Sequence, residues 1–238
     1  MDVEELLLAG HDEEQIRLME ERCIVLDNDD NYVRDGSKKE CHLMTNINNG
    51  LLHRAFSVFL FDPKIGKLLL QKRASEKITF PNMWTNTCCS HPLAVRSEVD
   101  GVAGAKNAAQ RKLEHELGIP KEQIKIDQIQ YLTRIHYVAP SDGMWGEHEI
   151  DYILFITANV TLDVNKNEVE DVQWVTMDDL QKLMNELDPA SFTPWFKLIV
   201  NEFLFSWWQI LLEKRAENGL IDAKTLGHLQ DSTIHRLL

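Results

Sequence analysis

Two glutamates alternate with a histidine at the start of an apolar segment, in the run Glu147-His148-Glu149. In a β-strand, residues two apart point to the same face, so the two carboxylates would lie side by side and His148 would face the other way. Two negative charges that close are unfavourable unless a cation or a shared proton compensates them. The run therefore indicates either a solvated strand end or part of a site that holds a cation or a proton.

Three further histidines, His42, His53 and His91, lie in strand or loop segments near polar residues. Together with two glutamates they would form a site of nitrogen and oxygen ligands that suits Zn²⁺, Mn²⁺ or Mg²⁺. However, no tight H-x₃-H pair joins them in the sequence, and an isolated histidine is more commonly exposed or hydrogen-bonded within the fold. Spacing alone leaves both interpretations open.

Adjacent cysteines, Cys88 and Cys89, lie in the segment TNTCCSHP just before His91. Neighbouring strand residues face opposite sides, so only one of the two thiols can enter a given pocket. A buried, unreactive thiol is the simpler interpretation of either one. Four cysteines in 238 residues are too few for a disulfide framework, so we expect reduced thiols.

The segment 111–119 resembles the Nudix box, R-E-U-x-E-E-x-G-U, whose acidic residues bind a magnesium diphosphate. Four positions match it: Arg111, Glu116, Gly118 and Ile119. Lys112 and His115 stand where two of the carboxylates are expected, so the resemblance implies diphosphate binding with poor hydrolysis. Lys112 and Glu116 are also four apart on one helix face, and an ordinary surface ion pair explains them without any function.

Strands and helices are mixed around these residues without strict βαβ alternation, which predicts an α+β fold with a mixed β-sheet packed between α-helices. The resemblance to the Nudix box implies that this sheet is Nudix-like. We expect strands near 23–26, 55–61, 67–72, 130–137, 149–156 and 172–175, and helices near 1–21, 104–117 and 195–215. A single domain is expected over 1–238, with a Nudix-like core at about 51–204. An N-terminal extension (1–50) and a C-terminal helical tail (205–238) would flank this core.

The chain is strongly acidic, with 25 Lys and Arg against 38 Asp and Glu and a net charge of −13. No overall positive field exists to attract nucleic acid, and an anionic substrate would need a local basic pocket. The most apolar stretch, 196–212, is interrupted by polar and charged residues, so we expect no membrane span. The charged first 22 residues do not resemble a signal peptide, and we expect a cytoplasmic protein.

Four motifs occur in an order that is specific to one family: GLLHRAFS, TNTCCSHP, WGEHEIDY and TPWF, beginning at Gly50, Thr85, Trp145 and Thr193. Over about residues 23–208 the chain resembles the type I isopentenyl-diphosphate Δ-isomerases, a divergent branch of the Nudix superfamily, in their eukaryotic form. The resemblance implies reversible conversion of isopentenyl diphosphate to dimethylallyl diphosphate, in isoprenoid and sterol synthesis. It also implies a monomer with a small prenyl diphosphate as its substrate.

By position, the resemblance implies a first divalent metal, of open identity, with these ligands: His42, His53, His91, Glu147 and Glu149. It implies that Cys89 and Glu149 are catalytic, that Tyr137 assists Glu149, and that Glu116 holds Mg²⁺ against the diphosphate. The implied substrate-binding residues are Lys38, Arg73, Lys77, Ser90, Lys112 and Trp195. The unrelated type II enzyme is disfavoured because the sequence lacks a flavin-binding glycine fingerprint, so no flavin is expected.

The chemistry agrees with these implied roles. Moving a double bond by protonation creates a tertiary carbocation, which requires a strong acid, a base on the other side and the exclusion of water. Two alternatives stay open. One is a Nudix pyrophosphohydrolase, against which Lys112 and His115 argue. The other is a non-catalytic module in which zinc, bound by the three histidines and Cys89, stabilises the fold.

Overall fold

The structure is a computed structural model that describes residues 8–238, in which ten strands form one mixed sheet. The strands are β1 (Arg22–Leu26), β2 (Tyr32–Ser37), β3 (Leu52–Phe61), β4 (Leu68–Arg73), β5 (Trp84–Thr85), β6 (Cys88–Ser90), β7 (Gln130–Pro140), β8 (Gly146–Thr157), β9 (Val169–Val175) and β10 (Ile234–Arg236). The α-helices are α1 (Glu13–Leu18), α2 (Lys38–His42), α3 (Met44–Ile47), α4 (Gly101–Leu117), α5 (Met177–Glu186), α6 (Pro194–Ile199) and α7 (Phe205–Glu213).

β3 lies at the centre of the sheet. It pairs in parallel with β8, from His53 opposite Glu149 to Phe61 opposite Thr157. On its other side it pairs antiparallel with β1, β6 and β4 in turn, and β7 pairs antiparallel with β8. This mixture of strand directions confirms the mixed sheet expected from the sequence.

Side chains of β3 alternate between two apolar cores. Phe59 and Phe61 face a core that α6 and α7 cover, whereas Val58 and Leu60 face a core that α4 covers. All four side chains are fully buried, and each such burial stabilises the fold by about 1.5–3 kcal/mol. The sheet is therefore held between helices on both faces, as the sequence predicted.

α4 begins at Gly101 rather than near residue 104, and it ends at Gly118 as expected. Gly118 has φ 63°, and a Cβ at this position would lie 2.1 Å from the backbone oxygen of Asp163. Only glycine fits a left-handed position with so close a neighbour. Glycine at this helix end therefore lets the loop that precedes β9 approach α4.

The two ends of the chain depart most from expectation. Residues 1–7 of the predicted helix over 1–21 lie outside the described residues. In the rest of that range, residues 8–21, the only α-helix is α1. The predicted helix over 195–215 is interrupted by a π-helical segment, Val200–Leu204. After a 3₁₀-helix at Ala223–Leu229 the chain forms β10, which pairs in parallel with β7, so the tail is only partly helical. The proposed core and its boundaries stay predictions.

No helix between residues 8 and 238 combines the length and the apolar character that crossing a bilayer requires.

Candidate active site

A pocket opens where β3, β6, β7 and β8 meet the start of α6 and the loop after β4. Among its lining residues are the acid, thiol and ligand candidates Cys89, His91, Tyr137, Glu147 and Glu149. The substrate-binding candidates that line it are Lys38, Arg73, Lys77, Ser90 and Trp195. The other four candidates, His42, His53, Lys112 and Glu116, do not line the pocket; all four are buried.

Three histidines and two glutamates converge at one end of the pocket. One nitrogen or oxygen atom from each of His42, His53, His91, Glu147 and Glu149 lies within 4.8 Å of all the others. The parallel register of β3 and β8 places His53 opposite Glu149, and the end of α2 supplies His42. Both glutamates point to this side of β8, which confirms the alternation expected from the sequence.

Several buried atoms in this group have no hydrogen-bond partner: His42 Nε2, both ring nitrogens of His53, and Glu147 Oε2. His42 Nε2 lies 2.8 Å from Glu147 Oε2, but without hydrogen-bond geometry. Buried polar atoms without partners are rare and costly. A cation between His42 Nε2 and Glu147 Oε2 would give each of these two atoms a partner. The five donors therefore fit a divalent metal ion, and their nitrogen and oxygen chemistry suits Zn²⁺, Mn²⁺ or Mg²⁺.

Two of the histidines have surroundings that suit metal binding. The Nδ1 atom of His42 lies 2.6 Å from the Lys38 carbonyl oxygen, so a proton on Nδ1 leaves Nε2 free as a ligand. Burial lowers the pKa of His91 well below its usual range, and the neighbouring His42 and His53 act in the same direction. A neutral imidazole is the ligand form of histidine.

The two oxygens of Glu149 have different partners. Oε1 lies 2.8 Å from His91 Nε2 and 3.2 Å from His53 Nε2, whereas Oε2 accepts a 2.5 Å hydrogen bond from the Tyr137 hydroxyl. Burial acts to raise the pKa of Glu149, but His53 and the Tyr137 hydrogen bond outweigh it and lower the pKa. Burial, together with the charge of Glu149, raises the pKa of Tyr137 well above its usual range. Tyr137 therefore stays a proton donor to an ionised carboxylate.

Cys89 reaches the pocket from β6, where it pairs with Ser57 of β3. Its Sγ lies 3.6 Å from Arg73 Nη1 and 4.0 Å from Thr85 Oγ1. Burial raises the pKa of the Cys89 thiol to about 12, against the lowering effect of the Arg73 guanidinium. Cys88 instead lies fully buried in the core beneath α4, so only one thiol enters the pocket, as predicted.

The cationic residues form two groups. Lys38, Arg73 and Lys77 line the pocket, and the Arg73 guanidinium donates to the carbonyls of Phe80 (2.9 Å) and Thr79 (2.8 Å). Behind them, Lys112 Nζ lies 3.2 Å from Glu116 Oε1. Lys112 and Glu116 are each only 3% exposed, so the interpretation of this pair as a surface ion pair is wrong.

Glu168 is a functional candidate that the sequence did not indicate. Its Oε2 lies 2.5 Å from Lys77 Nζ and 4.0 Å from Lys112 Nζ, and Gln15 of α1 donates to its Oε1 at 3.2 Å. Burial acts to raise the pKa of Glu168, but the two lysines hold it well below the usual range. An ionised Glu168 therefore joins the two groups of cations, and nothing in the periodicity of its loop signals this contact.

The comparison with known proteins agrees with this geometry. The NUDIX domain family matches residues 51–196 of the chain. An isopentenyl-diphosphate delta-isomerase of Gibberella zeae is 65% identical over 217 residues, which are 89% of this chain and 85% of that protein. The chain belongs to the isopentenyl-diphosphate delta-isomerase family. Family members in Phaffia rhodozyma and Schizosaccharomyces pombe are each 57% identical, over 98% and 95% of this chain and 94% and 95% of theirs.

Structural similarity supports the fold of this isomerase-family chain. The crystal structure of DR0079 from Deinococcus radiodurans superposes with a TM-score of 0.51 over 77% of this chain and 100% of that one, at 15% sequence identity. Such similarity shows a shared fold and nothing about activity. The family and the α+β Nudix-like class expected from the motifs are confirmed.

The Nudix-box residues of this isomerase-family chain serve local contacts. Arg111 donates to both carboxylate oxygens of Glu98, at 2.7 and 2.8 Å, and to the His91 carbonyl at 3.3 Å. This bidentate pair anchors the segment that carries His91 to α4. At the position of a hydrolytic carboxylate, His115 Nδ1 instead lies 3.1 Å from Lys112 Nζ.

Proposed function

We propose that the chain interconverts isopentenyl diphosphate and dimethylallyl diphosphate, for isoprenoid synthesis, by proton transfer at the two ends of an allylic unit. One observation carries the proposal: the Cys89 thiol and the Glu149–Tyr137 pair line the same pocket. The thiol comes from β6 and the carboxylate from β8, which flank β3 on its two sides. The two groups therefore approach a bound molecule from different walls.

The reaction needs an acid and a base that act in one water-poor cleft, because an alkene is a poor base and the tertiary carbocation is captured by water. In one direction a protonated Glu149, with Tyr137, supplies a proton to the terminal alkene carbon, and Cys89, as the thiolate, takes one from the methylene on the other side. This leaves Cys89 as a thiol and Glu149 ionised, which are the forms that burial of Cys89 and the neighbours of Glu149 favour. In the reverse direction the two roles are exchanged. The indole face of Trp195 favours the cation by about 1–2 kcal/mol when water is excluded.

The diphosphate would bind to the cationic side of the pocket. Lys38, Arg73 and Lys77 line it, and Ser90 adds a contact there. With Lys112 behind them, these residues supply the local positive field that a chain of net charge −13 needs for an anionic substrate. Glu168 compensates part of this charge, since it contacts both Lys77 and Lys112.

Two divalent metals are part of the proposal. The three histidines with Glu147 and Glu149 would hold Zn²⁺, Mn²⁺ or Mg²⁺, and Glu116 would hold Mg²⁺ together with the diphosphate. A bound cation would lower the cost of placing Glu147 and Glu149 side by side and would offset the charge of the diphosphate. No flavin enters the proposal, and a cytoplasmic monomer without nucleic-acid or membrane partners stays a prediction.

A proton-NMR time course with isopentenyl diphosphate in D₂O, with and without a chelator, tests the proposal. We expect dimethylallyl diphosphate with deuterium incorporated at the ends of the allylic unit, and we expect the chelator to stop both. Rapid release of phosphate without dimethylallyl diphosphate would instead establish a Nudix-type pyrophosphohydrolase.

The variant Cys89→Ala tests the role of the thiol. We expect a folded, metal-loaded protein whose isomerase rate falls by about 10³-fold, the usual contribution of an acid–base group. Cys88→Ala is the matched control, because its thiol faces the core beneath α4; we expect it to lose stability but keep the activity. Unfolding or metal release in Cys89→Ala would support a structural zinc module in place of the enzyme.

A further inference from the structure

Asn86 has a fully buried side chain in the turn between β5 and β6, and all its polar atoms have partners. Its Nδ2 donates to the carbonyls of Val58 (3.1 Å) and Cys88 (2.8 Å). Its Oδ1 accepts from Thr85 Oγ1 (2.9 Å) and from the indole Nε1 of Trp195 (3.2 Å). Nothing in the motif analysis assigned a role to this residue.

The orientation of this amide follows from its partners. The reversed amide would place its NH₂ against the indole N–H and its oxygen against two carbonyl oxygens. A fully paired buried amide is rigid, and removing one partner leaves a costly unsatisfied group. Asn86 is therefore locked in one position by four contacts.

Those contacts connect two walls of the pocket that are far apart in the sequence. Val58 lies on β3, Cys88 immediately precedes Cys89, and Trp195 lies in the first turn of α6. A second link runs beside the first, because Thr85 Oγ1 lies 2.7 Å from Thr193 Oγ1, at the start of α6. The indole is thus tied to the strand that carries the thiol.

Orientation matters for an indole because only the face of its ring attracts a cation. In this structure the guanidinium carbon of Arg73 lies 5.6 Å from the centroid of the Trp195 ring, so the ring already accommodates one cation. Without a partner for Nε1, only ring packing would hold the plane of the buried indole, against Phe80 at 5.2 Å and Tyr137 at 6.1 Å between ring centroids. A turned ring would no longer present its face to a cation in the pocket.

We propose that Asn86 is a positioning residue for the isomerase reaction, whose amide fixes the plane of the Trp195 indole against the strand that carries Cys89. The inference rests on the proposed function, since the plane of the indole affects catalysis only where a carbocation forms beside it. Asn86 touches no substrate in this role. It acts through Trp195.

The hydrogen bond itself is tested by ¹H–¹⁵N spectroscopy, which does not depend on activity. The Trp195 indole resonance is identified by its loss in Trp195→Phe. In Asn86→Ala we expect this resonance to move upfield and its N–H to exchange with D₂O at least about tenfold faster. The other five indole resonances should stay nearly unchanged.

Steady-state kinetics test whether the orientation of the Trp195 indole affects catalysis. We expect Asn86→Ala to lower kcat by about tenfold and to leave KM within about threefold, because the indole face acts on the developing cation and not on the bound substrate. In a Trp195→Phe background the same Asn86 substitution should cost less than about twofold, since the group through which it acts is gone.

Thr87→Val is the matched control. Thr87 is equally buried one residue further along, and its hydroxyl pairs with Leu69 O and Leu60 N, away from the indole. We expect it to lose stability without a change in kcat or in the Trp195 resonance. A kcat loss in Asn86→Ala no larger than that in Thr87→Val, or an undiminished loss in the Trp195→Phe background, would overturn the inference.

Two further outcomes are decisive. If Asn86→Ala does not fold, the wild-type protein still decides: a Trp195 N–H that exchanges within about tenfold of the rate in the unfolded chain would overturn the inference, and a protected one would support it. If the wild-type protein forms no dimethylallyl diphosphate, the proposed function fails, whereas the spectroscopic test of the hydrogen bond stands unaffected.

Discussion

Two groups of histidines lie on opposite faces of the β7–β8 pair. His42, His53 and His91 meet Glu147 and Glu149 at the front face, at one end of the pocket. On the back face, the rings of His136 and His148 stack with centroids 5.0 Å apart and Nε2 atoms 2.8 Å apart. His148 lies between the two glutamates in sequence, so the alternation of one strand separates the two groups.

The back pair, His136 and His148, forms a continuous chain of hydrogen bonds. Arg236 of β10 donates to His136 Nδ1 at 2.7 Å, which leaves a proton on His136 Nε2. That proton is donated to His148 Nε2, and His148 Nδ1 then donates to the Leu51 carbonyl at 2.8 Å. One assignment of protons satisfies every nitrogen.

In the front group, hydrogen bonds do not give every buried polar atom a partner. Its unpartnered atoms are as buried as any in the back pair: His42 Nε2, His53 Nδ1 and Nε2, and Glu147 Oε2. The difference between a histidine group that braces a sheet and one suited to a ligand is therefore visible in hydrogen-bond satisfaction, and not in residue type or burial.

The largest expected effect separates the two faces directly. His91→Ala removes one donor from the front group, and we expect loss of bound metal and a fall in isomerase rate of about 10²–10³-fold. His148→Asn removes a ring of the back pair and should keep both metal and most of the activity. Metal analysis and the isomerase assay of both variants measure the contrast. Equal loss in the two variants would mean that the back pair takes part in the site.

A smaller effect is expected from the phenol at the front of β7. Tyr137→Phe removes the hydroxyl that donates to Glu149 and should lower kcat by about 10–10²-fold with its metal retained. Tyr131→Phe is the control, because Tyr131 is a buried tyrosine of the same strand that packs in the other core. A Tyr137→Phe enzyme as active as the control would assign the proton to Glu149 alone.

The sequence predicted the residues of the front face well because short local patterns identify them. Alternation on one strand placed Glu147 and Glu149 together, and ordered motifs located the remaining candidates. Contacts between distant segments were not predictable in this way. Glu168 meets Lys77 across 91 residues, and Arg236 meets His136 across 100, so the path of the whole chain sets both.

Burial was the other quantity that the sequence left open. The i,i+4 spacing of Lys112 and Glu116 is the same for a surface pair as for the buried pair that the structure contains. Only the packing of α4 against the sheet and the approach of Glu168 distinguish the two. A charge pattern on a helix therefore predicts a partner, but not the environment in which the pair lies.

The smallest expected effect is a loss of folding stability at low pH that arises from the back face. Burial, followed by the charges of His148 and Arg236, lowers the pKa of His136 to about 4, from a usual value of about 6.5 in an unfolded chain. Between these values the unfolded chain binds a proton that the folded chain does not, so the free energy of unfolding falls as the pH is lowered from 6.5 towards 4. Because this edge of the sheet is partly open to solvent, we expect a loss on the order of 1 kcal/mol.

Urea unfolding at pH 7 and pH 5 measures this loss, and His136→Phe isolates it. The variant cannot titrate at this position, so its free energy of unfolding should fall less between the two pH values than that of the wild type. Groups away from the back face are common to both proteins, so their contributions cancel in the difference. Identical pH dependence in the two proteins would mean that His136 takes up its proton in the folded chain. The back pair, like the front group, would then need a partner of opposite charge.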